Sequence, residues 1–136
     1  MSAVLETSLD NPLLEHLGVR LVGVDMGRCA LELDLEPRHL NRQGSLHGGV
    51  IATLLDAACG YAGLKSPQGL LGHAVTVMLN IAYLNKVAAG RVRAEGLVTR
   101  TGRSLYFASA ELATAEGVVV ATAQGTFKRN IPSQET

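Results

Sequence analysis

The fold of this chain is decided by the stretch Ser45-Leu46-His47-Gly48-Gly49, which continues without a break into Val50-Ile51-Ala52-Thr53-Leu54-Leu55-Asp56-Ala57-Ala58-Cys59. The pattern predicts one long helix that opens within the first segment and ends near Gly63, before the breaker run Ser66-Pro67-Gln68-Gly69. Because this helix is apolar nearly all round, we expect it to be central and covered on several sides.

Two features of the helix oppose stability and indicate function. Gly48 and Gly49 lie in its first turn, where each costs about 1 kcal/mol relative to alanine. Asp56 lies in the middle among apolar residues, where a carboxylate is a poor helix former and costly to desolvate. A helix start offers free N–H donors with positive partial charge, and glycine lets a ligand approach them. A helix end that favours anions, together with a buried carboxylate, suits carbonyl chemistry.

The remaining elements are strands and one short helix. The short helix is predicted over 10–18, followed by a hairpin over 19–24 and 29–35. Four strands are predicted after the breaker run, over 73–84, 91–100, 104–113 and 118–128. This order predicts an α+β fold in which an antiparallel sheet wraps around the long helix. We expect a single domain over 1–136, with 129–136 as a frayed polar tail.

Composition excludes several classes of function. The chain has 136 residues with 12 basic and 12 acidic side chains, so neither nucleic acid nor a membrane is expected as a partner. It is 47% hydrophobic and only 18% charged, which predicts a subunit interface, although a large core would give the same figures. Cys29 and Cys59 fit no metal spacing, nor do the histidines, and no metal is expected. The chain begins with no secretory signal and has no membrane-spanning run, so we expect the cytoplasm.

A longer motif resembles a known family. The run Asn41-Arg42-Gln43-Gly44-Ser45-Leu46-His47-Gly48-Gly49, with Asp56 nine residues after His47, resembles the signature of hotdog-fold acyl-CoA thioesterases. It is most similar to the branch typified by the phenylacetate-pathway thioesterase and the Arthrobacter-type 4-hydroxybenzoyl-CoA thioesterase. The segments 80–83 and 90–94 lie at the expected distances, so the resemblance covers nearly the whole chain.

The resemblance implies a hotdog fold, a curved antiparallel sheet around one central helix, paired into dimers and often tetramers. It implies hydrolysis of an acyl-CoA thioester to the free acid and coenzyme A, which enters as substrate, with no cofactor. In such enzymes the helix carboxylate, here Asp56, attacks the thioester or activates water. The amide after the histidine, here Gly48, polarises the carbonyl. Asn41 corresponds to the residue that helps position water or carboxylate, with His47 beside them.

Two departures from the family pattern bear on the mechanism. Some relatives carry a hydroxyl residue one turn after the carboxylate to hold the hydrolytic water, and here that position is Gly60. Water positioning must then fall to Asn41, Thr53 or another group. The carboxylate at position 56 is an aspartate, whereas the aryl-CoA branch prefers glutamate. This difference favours the phenylacetate-type branch.

Candidate substrate contacts lie on the helix start and on later strands. Gly49 is expected beside Gly48, and a mainly apolar pocket for a medium-chain or aryl acyl group is expected along one strand face. The period-two rule places Thr76, Met78 and Asn80 on that face. Position in the family pattern suggests coenzyme A contacts from Gly102, Arg103 and Ser104, and guanidinium groups that suit phosphate are also present at Arg91, Arg93 and Arg100.

The spacing of Gly48 and Asp56 has a geometric consequence. Eight residues separate them, so an ideal helix places them about 12 Å apart along its axis. A reacting carbonyl needs its polarising donor and its attacking group within about 3 Å each. If both act on one bond, one helix is insufficient, whereas two antiparallel helices across a two-fold axis suffice. The sequence therefore predicts two sites per dimer, each using Gly48 from one chain and Asp56 from the other.

Simpler interpretations stay open at this point. Asp56 is alternatively a structural carboxylate, His47 a capping residue, the glycine pair an aid to helix packing, and Asn41 a turn residue. Two other functions compete with thioester hydrolysis. One is a hotdog acyl-thioester dehydratase or hydratase that pairs His47 with a carboxylate, and the other is a non-catalytic acyl-CoA binding protein.

Overall fold

A computed structural model describes residues 10–130 of the chain. The elements are α1 (Pro12–Leu17), β1 (Arg20–Asp25), β2 (Arg28–Asp34), a 3-10 turn (Pro37–His39), α2 (Gly48–Ala62), β3 (Ala74–Tyr83), β4 (Arg91–Thr101), β5 (Leu105–Thr114) and β6 (Val119–Arg129). The strands form one antiparallel sheet in the order β1-β2-β4-β5-β6-β3, curved around α2. The predicted α+β hotdog architecture is confirmed.

The start of α2 lies within the predicted segment, and Gly48 and Gly49 lie in its first turn as predicted. His47 is the N-cap residue and Gly48 the first helical residue, whereas Ser45 and Leu46 belong to the preceding loop. The amide of Leu46 donates to the Val87 carbonyl at 2.7 Å, and the Ser45 carbonyl accepts from Asn41 at 2.7 Å. These two backbone hydrogen bonds hold Ser45 and Leu46 in the loop before the helix. The predicted end at Gly63 is confirmed.

The helix packs very closely on the sheet. The inner sheet face is built largely from small residues, and Gly96 of β4 lies directly under the helix. A Cβ atom at position 96 would lie 2.1 Å from the carbonyl oxygen of Ala58, closer than any real contact. Only glycine fits there. The other small buried residues of this face are Ala94, Ala108, Ala110, Ala121 and Ala123.

The sheet covers only part of α2. Leu54, Leu55 and Ala58 are buried against it, whereas Thr53 and Asp56 are only half-buried. As expected of a central helix, α2 contacts all six strands, but the expectation that Asp56 is buried is wrong for the isolated chain. The reason is that no described element packs over the face that carries Asp56, other than the inner end of β3.

A β-bulge in β3 changes which side chains share a face. Thr76 pairs with Phe127, but Met78 pairs with the next residue back, Thr126, so that Val77 is the extra residue. Thr76 therefore points to the helix side with Phe127, while Met78 and Asn80 point to the outer face. The prediction that Thr76, Met78 and Asn80 share one face is wrong, because the bulge interrupts the alternation.

Strand β3 is also an edge of the sheet with apolar side chains open to solvent. Val75, Val77 and Met78 are 62%, 58% and 54% exposed, and Tyr83 is also more than half exposed. An unpaired edge with exposed apolar residues is a surface that natural proteins normally cover. This matches the apolar composition that predicted a subunit interface.

The chain end is ordered further than expected. Arg129 is the last residue of β6 and donates to the Gly63 carbonyl at 2.6 Å and to the Thr101 hydroxyl at 2.7 Å. The predicted frayed tail therefore does not include Arg129, because its guanidinium ties it to two other elements. The rest of that prediction, over 131–136, lies outside the described residues.

Within 10–130 no helix is long and apolar enough to cross a membrane.

We expect Gly96→Ala to destabilise the protein by about 2 kcal/mol or more, since the new methyl group must displace the helix backbone at Ala58. Gly72→Ala is the matched control, because a Cβ there meets only the Leu64 carbonyl at an ordinary 3.8 Å. Urea unfolding followed by circular dichroism gives both values. Equal stability of the two variants would contradict the close helix–sheet contact.

Candidate active site

The Asp56 carboxylate is held by a single described hydrogen bond. The hydroxyl of Thr76, at the inner end of β3, donates to Asp56 Oδ1 at 2.8 Å. The sequence pattern placed Thr76 near the acyl group but gave no sign of this bond, because the bulge at Val77 sets the direction of Thr76. The second oxygen, Oδ2, accepts no hydrogen bond within residues 10–130. One oxygen is thus fixed and the other is available for chemistry.

Asp56 lines a cavity of about 250 Å³ on the open side of α2. Thr76, the half-buried Gly60 and the exposed His73 line the same cavity. The cavity combines this carboxylate with apolar and aromatic walls, as small-molecule sites generally do. The apolar and aromatic lining comes from Ala57, Leu64, Leu71, Ala74, Tyr106 and Phe127.

The aromatic wall of this cavity is rigid. The rings of Tyr106 and Phe127 stack with centroids 5.3 Å apart, and the Arg129 guanidinium lies 4.5 Å above the Tyr106 ring. The Tyr106 hydroxyl donates to the Gly60 carbonyl at 2.6 Å. Burial raises the pKa of Tyr106 to about 12, Arg129 opposes the rise, and Asp56 adds to it. Tyr106 is therefore a neutral wall residue at physiological pH.

Gly48 lies on a different cavity, of about 510 Å³, together with Asn41, Tyr83 and Lys86. The Tyr83 hydroxyl donates to the Gly48 carbonyl at 3.0 Å, while the Gly48 N–H has no hydrogen-bond acceptor in the described part of the chain. A Cβ at position 48 would meet the Tyr83 ring at an ordinary 3.5 Å. Packing within the chain therefore does not require glycine here, and the free amide at the helix start is open to a ligand.

His47 is a helix cap in this structure. Its Nδ1 accepts from the Gly49 amide at 2.8 Å, which places the proton of a neutral ring on Nε2. A Cβ at Gly49 would lie 3.1 Å from that nitrogen, so the cap itself accounts for the second glycine. The Gly49 amide, predicted to contact substrate, is already occupied. The capping interpretation of His47 agrees with this geometry, and Gly48 alone offers a free amide at the helix start.

Asn41 both shapes the loop and borders the cavity of Gly48. Its Oδ1 accepts from the amides of Gln43 at 2.9 Å and Ser45 at 3.0 Å, which makes it a turn residue. Its side-chain amide borders the same cavity as Gly48. Thr53, the other residue considered for holding water, donates its hydroxyl to the Gly49 carbonyl at 2.9 Å instead.

The remaining predicted contacts lie away from the Asp56 cavity. Asn80 pairs with Gln124 on the outer sheet face, so it does not reach the Asp56 cavity of its own chain. Gly102, Arg103 and Ser104 form the β4–β5 turn, which lines neither cavity. The Ser104 carbonyl accepts from the Arg129 amide at 2.7 Å. A coenzyme A contact at this turn stays a prediction.

Two of the arginines considered for phosphate are engaged in ion pairs. Arg91 binds Asp34 at 2.8 Å, and Arg93 binds Glu32 at 2.9 Å and Glu95 at 2.7 Å. The hydrogen bond from Arg91 holds the pKa of Asp34 below its usual value. Burial alone would raise the pKa of Glu32, but hydrogen bonds from arginine outweigh it and lower that pKa. Both guanidinium groups thus already have carboxylate partners, and a phosphate contact from either one stays a prediction.

No metal centre exists within residues 10–130, where no group of three or more histidine, cysteine or acidic side chains converges. His39 is buried and fully used, since Nδ1 accepts from the Glu36 amide at 2.9 Å and Nε2 pairs with the Leu17 carbonyl at 2.8 Å. Tyr61 and His73 line the Asp56 cavity and Tyr83 lines the Gly48 cavity, although the sequence pattern predicts no role for any of the three. Of these three residues, only Tyr83 could have been found from the sequence, because it belongs to the segment 80–83 that carries the family resemblance.

Comparison with known proteins gives consistent matches. Residues 43–133 match a family model described as the thioesterase superfamily. Acyl-coenzyme A thioesterase 13 of Homo sapiens is 33% identical over 110 residues, covering 79% of this chain and 77% of that protein. The proofreading thioesterase EntH of Klebsiella pneumoniae is 30% identical over 102 residues, covering 74% and 73%. The structure of the E. coli PaaI protein from the phenylacetic acid degradation operon superposes with a TM-score of 0.80 at 26% identity, covering 90% and 86%.

Cys29 of β2 and Cys59 of α2 are expected to be unreactive in the folded protein. Cys29 and Cys59 are free and buried, and burial raises the pKa of each thiol to about 12. At pH 8 only about one thiol in ten thousand is then ionised, and the thiolate is the reactive form. Labelling with a chromogenic disulfide reagent should be negligible in buffer and complete in denaturant. Rapid labelling of the native protein would contradict the burial of this part of α2.

Proposed function

Since the chain belongs to the thioesterase superfamily and is a thioester hydrolase, we propose that it hydrolyses an acyl-CoA thioester to the free acid and coenzyme A. The family resemblance drawn from the motif at 41–56 is confirmed by these comparisons. The observation that carries the finer proposal is the state of Asp56, which is half-exposed to a cavity with one carboxylate oxygen held by Thr76.

The proposed chemistry divides between a donor and a carboxylate. The free Gly48 amide, at the positive end of α2, polarises the thioester carbonyl and stabilises the oxyanion that forms. One such donor is worth about 3 kcal/mol in comparable enzymes. Asp56 either attacks the carbonyl carbon, giving a mixed anhydride that water then hydrolyses, or removes a proton from the attacking water. Both routes release coenzyme A as the thiol and use the unbonded Oδ2.

The site is proposed to form between two chains. Gly48 and Asp56 line separate cavities of one chain and lie about 12 Å apart along α2, too far to act on one carbonyl. A second copy with its helix antiparallel brings its Gly48 to the first copy's Asp56. The exposed apolar edge of β3 supports pairing of this kind. We therefore propose a homodimer with two shared sites, which further pairs into a tetramer.

The acyl group is proposed to be medium-chain or aryl, in keeping with the size and aromatic wall of the cavity at Asp56. Aspartate as the carboxylate favours the phenylacetate-type branch over the aryl-CoA branch that uses glutamate.

A cytoplasmic location remains our expectation, supported by the free thiols of Cys29 and Cys59. The dehydratase alternative needs His47 as a base, but its Nδ1 already accepts from Gly49.

Asp56→Ala should reduce thiol release by at least two orders of magnitude while ligand binding is largely kept, because the variant lacks the attacking or basic group. Asp56→Asn is the matched variant, since an amide oxygen still accepts from Thr76 but carries no charge. Steady-state thiol release from a panel of acyl-CoA and aryl-CoA thioesters measures the loss and identifies the preferred acyl group. Turnover at the wild-type rate in either folded variant would remove Asp56 from the mechanism.

Mixed dimers test the shared site. Gly48→Pro removes the amide hydrogen at the first helical position, where proline is well tolerated, and His47 at φ −65° and ψ 137° already has the backbone that precedes proline. Gly48→Ala is the control that keeps the amide. Equal mixing of Asp56→Ala and Gly48→Pro chains should restore about a quarter of wild-type activity, because half the dimers are mixed and each has one intact site.

The mixing experiment needs proof that chains exchange, which native mass spectrometry of an isotope-labelled partner provides. Exchange without any restored activity would show that each site uses a single chain.

A further inference from the structure

His39 is a buried histidine that the proposed mechanism does not use. It ends the 3-10 turn before the loop that leads into α2, and none of its surface is exposed. Its Nδ1 accepts from the Glu36 amide at 2.9 Å, and its Nε2 bonds to the carbonyl of Leu17, the last residue of α1, at 2.8 Å. With Nδ1 as acceptor, the proton of the neutral ring lies on Nε2, which therefore donates to Leu17. Two hydrogen bonds thus fix the direction of the ring.

The backbone of His39 in turn holds the start of the long helix. Its carbonyl accepts from the amide of His47, the N-cap residue of α2, at 2.9 Å. Residues 39–47 form a closed loop between these two ends, and Leu40 and Leu46 form an antiparallel bridge across it. The imidazole, the carbonyl of the same residue and the helix cap therefore belong to one connected set of hydrogen bonds.

We propose that His39 is a positioning residue that aims the Gly48 amide at the thioester carbonyl. The inference rests on the proposed function, because it takes the Gly48 amide as the donor that stabilises the oxyanion. The peptide plane that carries this N–H is set by the ψ angle of His47, which is 137°. His39 holds the backbone amide of His47, and the bond from the Gly49 amide at 2.8 Å holds its ring.

Direction matters for this donor more than strength does. An oxyanion donor must lie about 2.7–3.1 Å from the oxygen that becomes charged. A misplacement of about 1 Å can cost about a hundredfold in rate, even when the mutated residue is far from the reacting atoms. An apolar side chain at position 39 would fill much of the same space but would not bond to the Glu36 amide or the Leu17 carbonyl. The imidazole thus supplies direction as well as volume.

A double-mutant cycle between positions 39 and 48 tests the inference, with thiol release from an acyl-CoA thioester as the measurement. His39→Leu has a similar volume and no ring nitrogens. We expect it to lower kcat by about tenfold and to change KM by less than about threefold, because the donor acts in the transition state. Gly48→Pro should lower kcat by about a hundredfold in the wild-type background. In the His39→Leu background it should cost only about tenfold, since the amide that it removes is already misaligned.

Two conservative variants separate the two ring bonds. In His39→Gln the side-chain nitrogen can replace Nε2 as donor to Leu17, and in His39→Asn the side-chain oxygen can replace Nδ1 as acceptor from Glu36. Each should recover part of the kcat lost in His39→Leu, and each carries the cycle if His39→Leu does not fold. Thr114→Val is the matched control, because it removes the 3.1 Å hydrogen bond from the Val118 amide in a turn that borders neither cavity. It should keep the wild-type kcat.

The outcomes separate the inference from the proposed function. If Gly48→Pro lowers kcat by the same factor with and without the His39 substitution, the inference is overturned and the proposed function stands. If Gly48→Pro keeps the wild-type kcat, the Gly48 amide has no role in the mechanism and the inference falls with it. Crystal structures of the wild type and of a folded His39 variant give a readout that needs no turnover. We expect the peptide between His47 and Gly48 to turn away from its wild-type direction, and an unchanged peptide would overturn the inference.

Discussion

The structure depends on the contact between the backbone of α2 at Ala58 and the sheet at Gly96. A glycine in β4, surrounded by alanines on β5 and β6, lets the helix lie almost directly on the strands. This contact leaves no room for the helix to shift or rotate, because interiors are close-packed and a single methyl group is felt. Asp56, two residues before Ala58, is thereby held at a fixed height and direction. Thr76 can then meet its carboxylate at 2.8 Å.

The helix also separates Gly48 and Asp56, the two groups that the proposed chemistry needs. The positive N-terminal end of α2, at Gly48, and the Asp56 carboxylate lie on one helix, which keeps them apart. Under the proposed mechanism, two helices that run in opposite directions bring the two groups together, so that assembly would be a condition for the reaction. The cap at His47 contributes, because it occupies the Gly49 amide and leaves the Gly48 amide as the free donor.

Periodicity and turn residues predicted all six strands and both helices, to within about one to three residues of their observed ends. The motif at 41–56 indicated the family and drew attention to Asp56 and Gly48. What it missed depends on contacts made in three dimensions. The pattern did not show that Leu46 stays outside the helix, where its amide bonds to Val87, or that a bulge at Val77 turns Asn80 to the outer face. Arg91 and Arg93 of β4 form ion pairs with Asp34 and Glu32 of β2. These pairs depend on the register between the two strands, which the sequence pattern does not give.

The bulge at Val77 has a consequence for association as well as for Thr76. An open apolar edge strand is ordinarily a template on which any extended peptide can add, and such addition leads to aggregation. An irregular edge twists locally and breaks the even spacing of free backbone groups. The extra residue that directs the Thr76 hydroxyl towards Asp56 thus also disfavours unspecific strand addition at this edge.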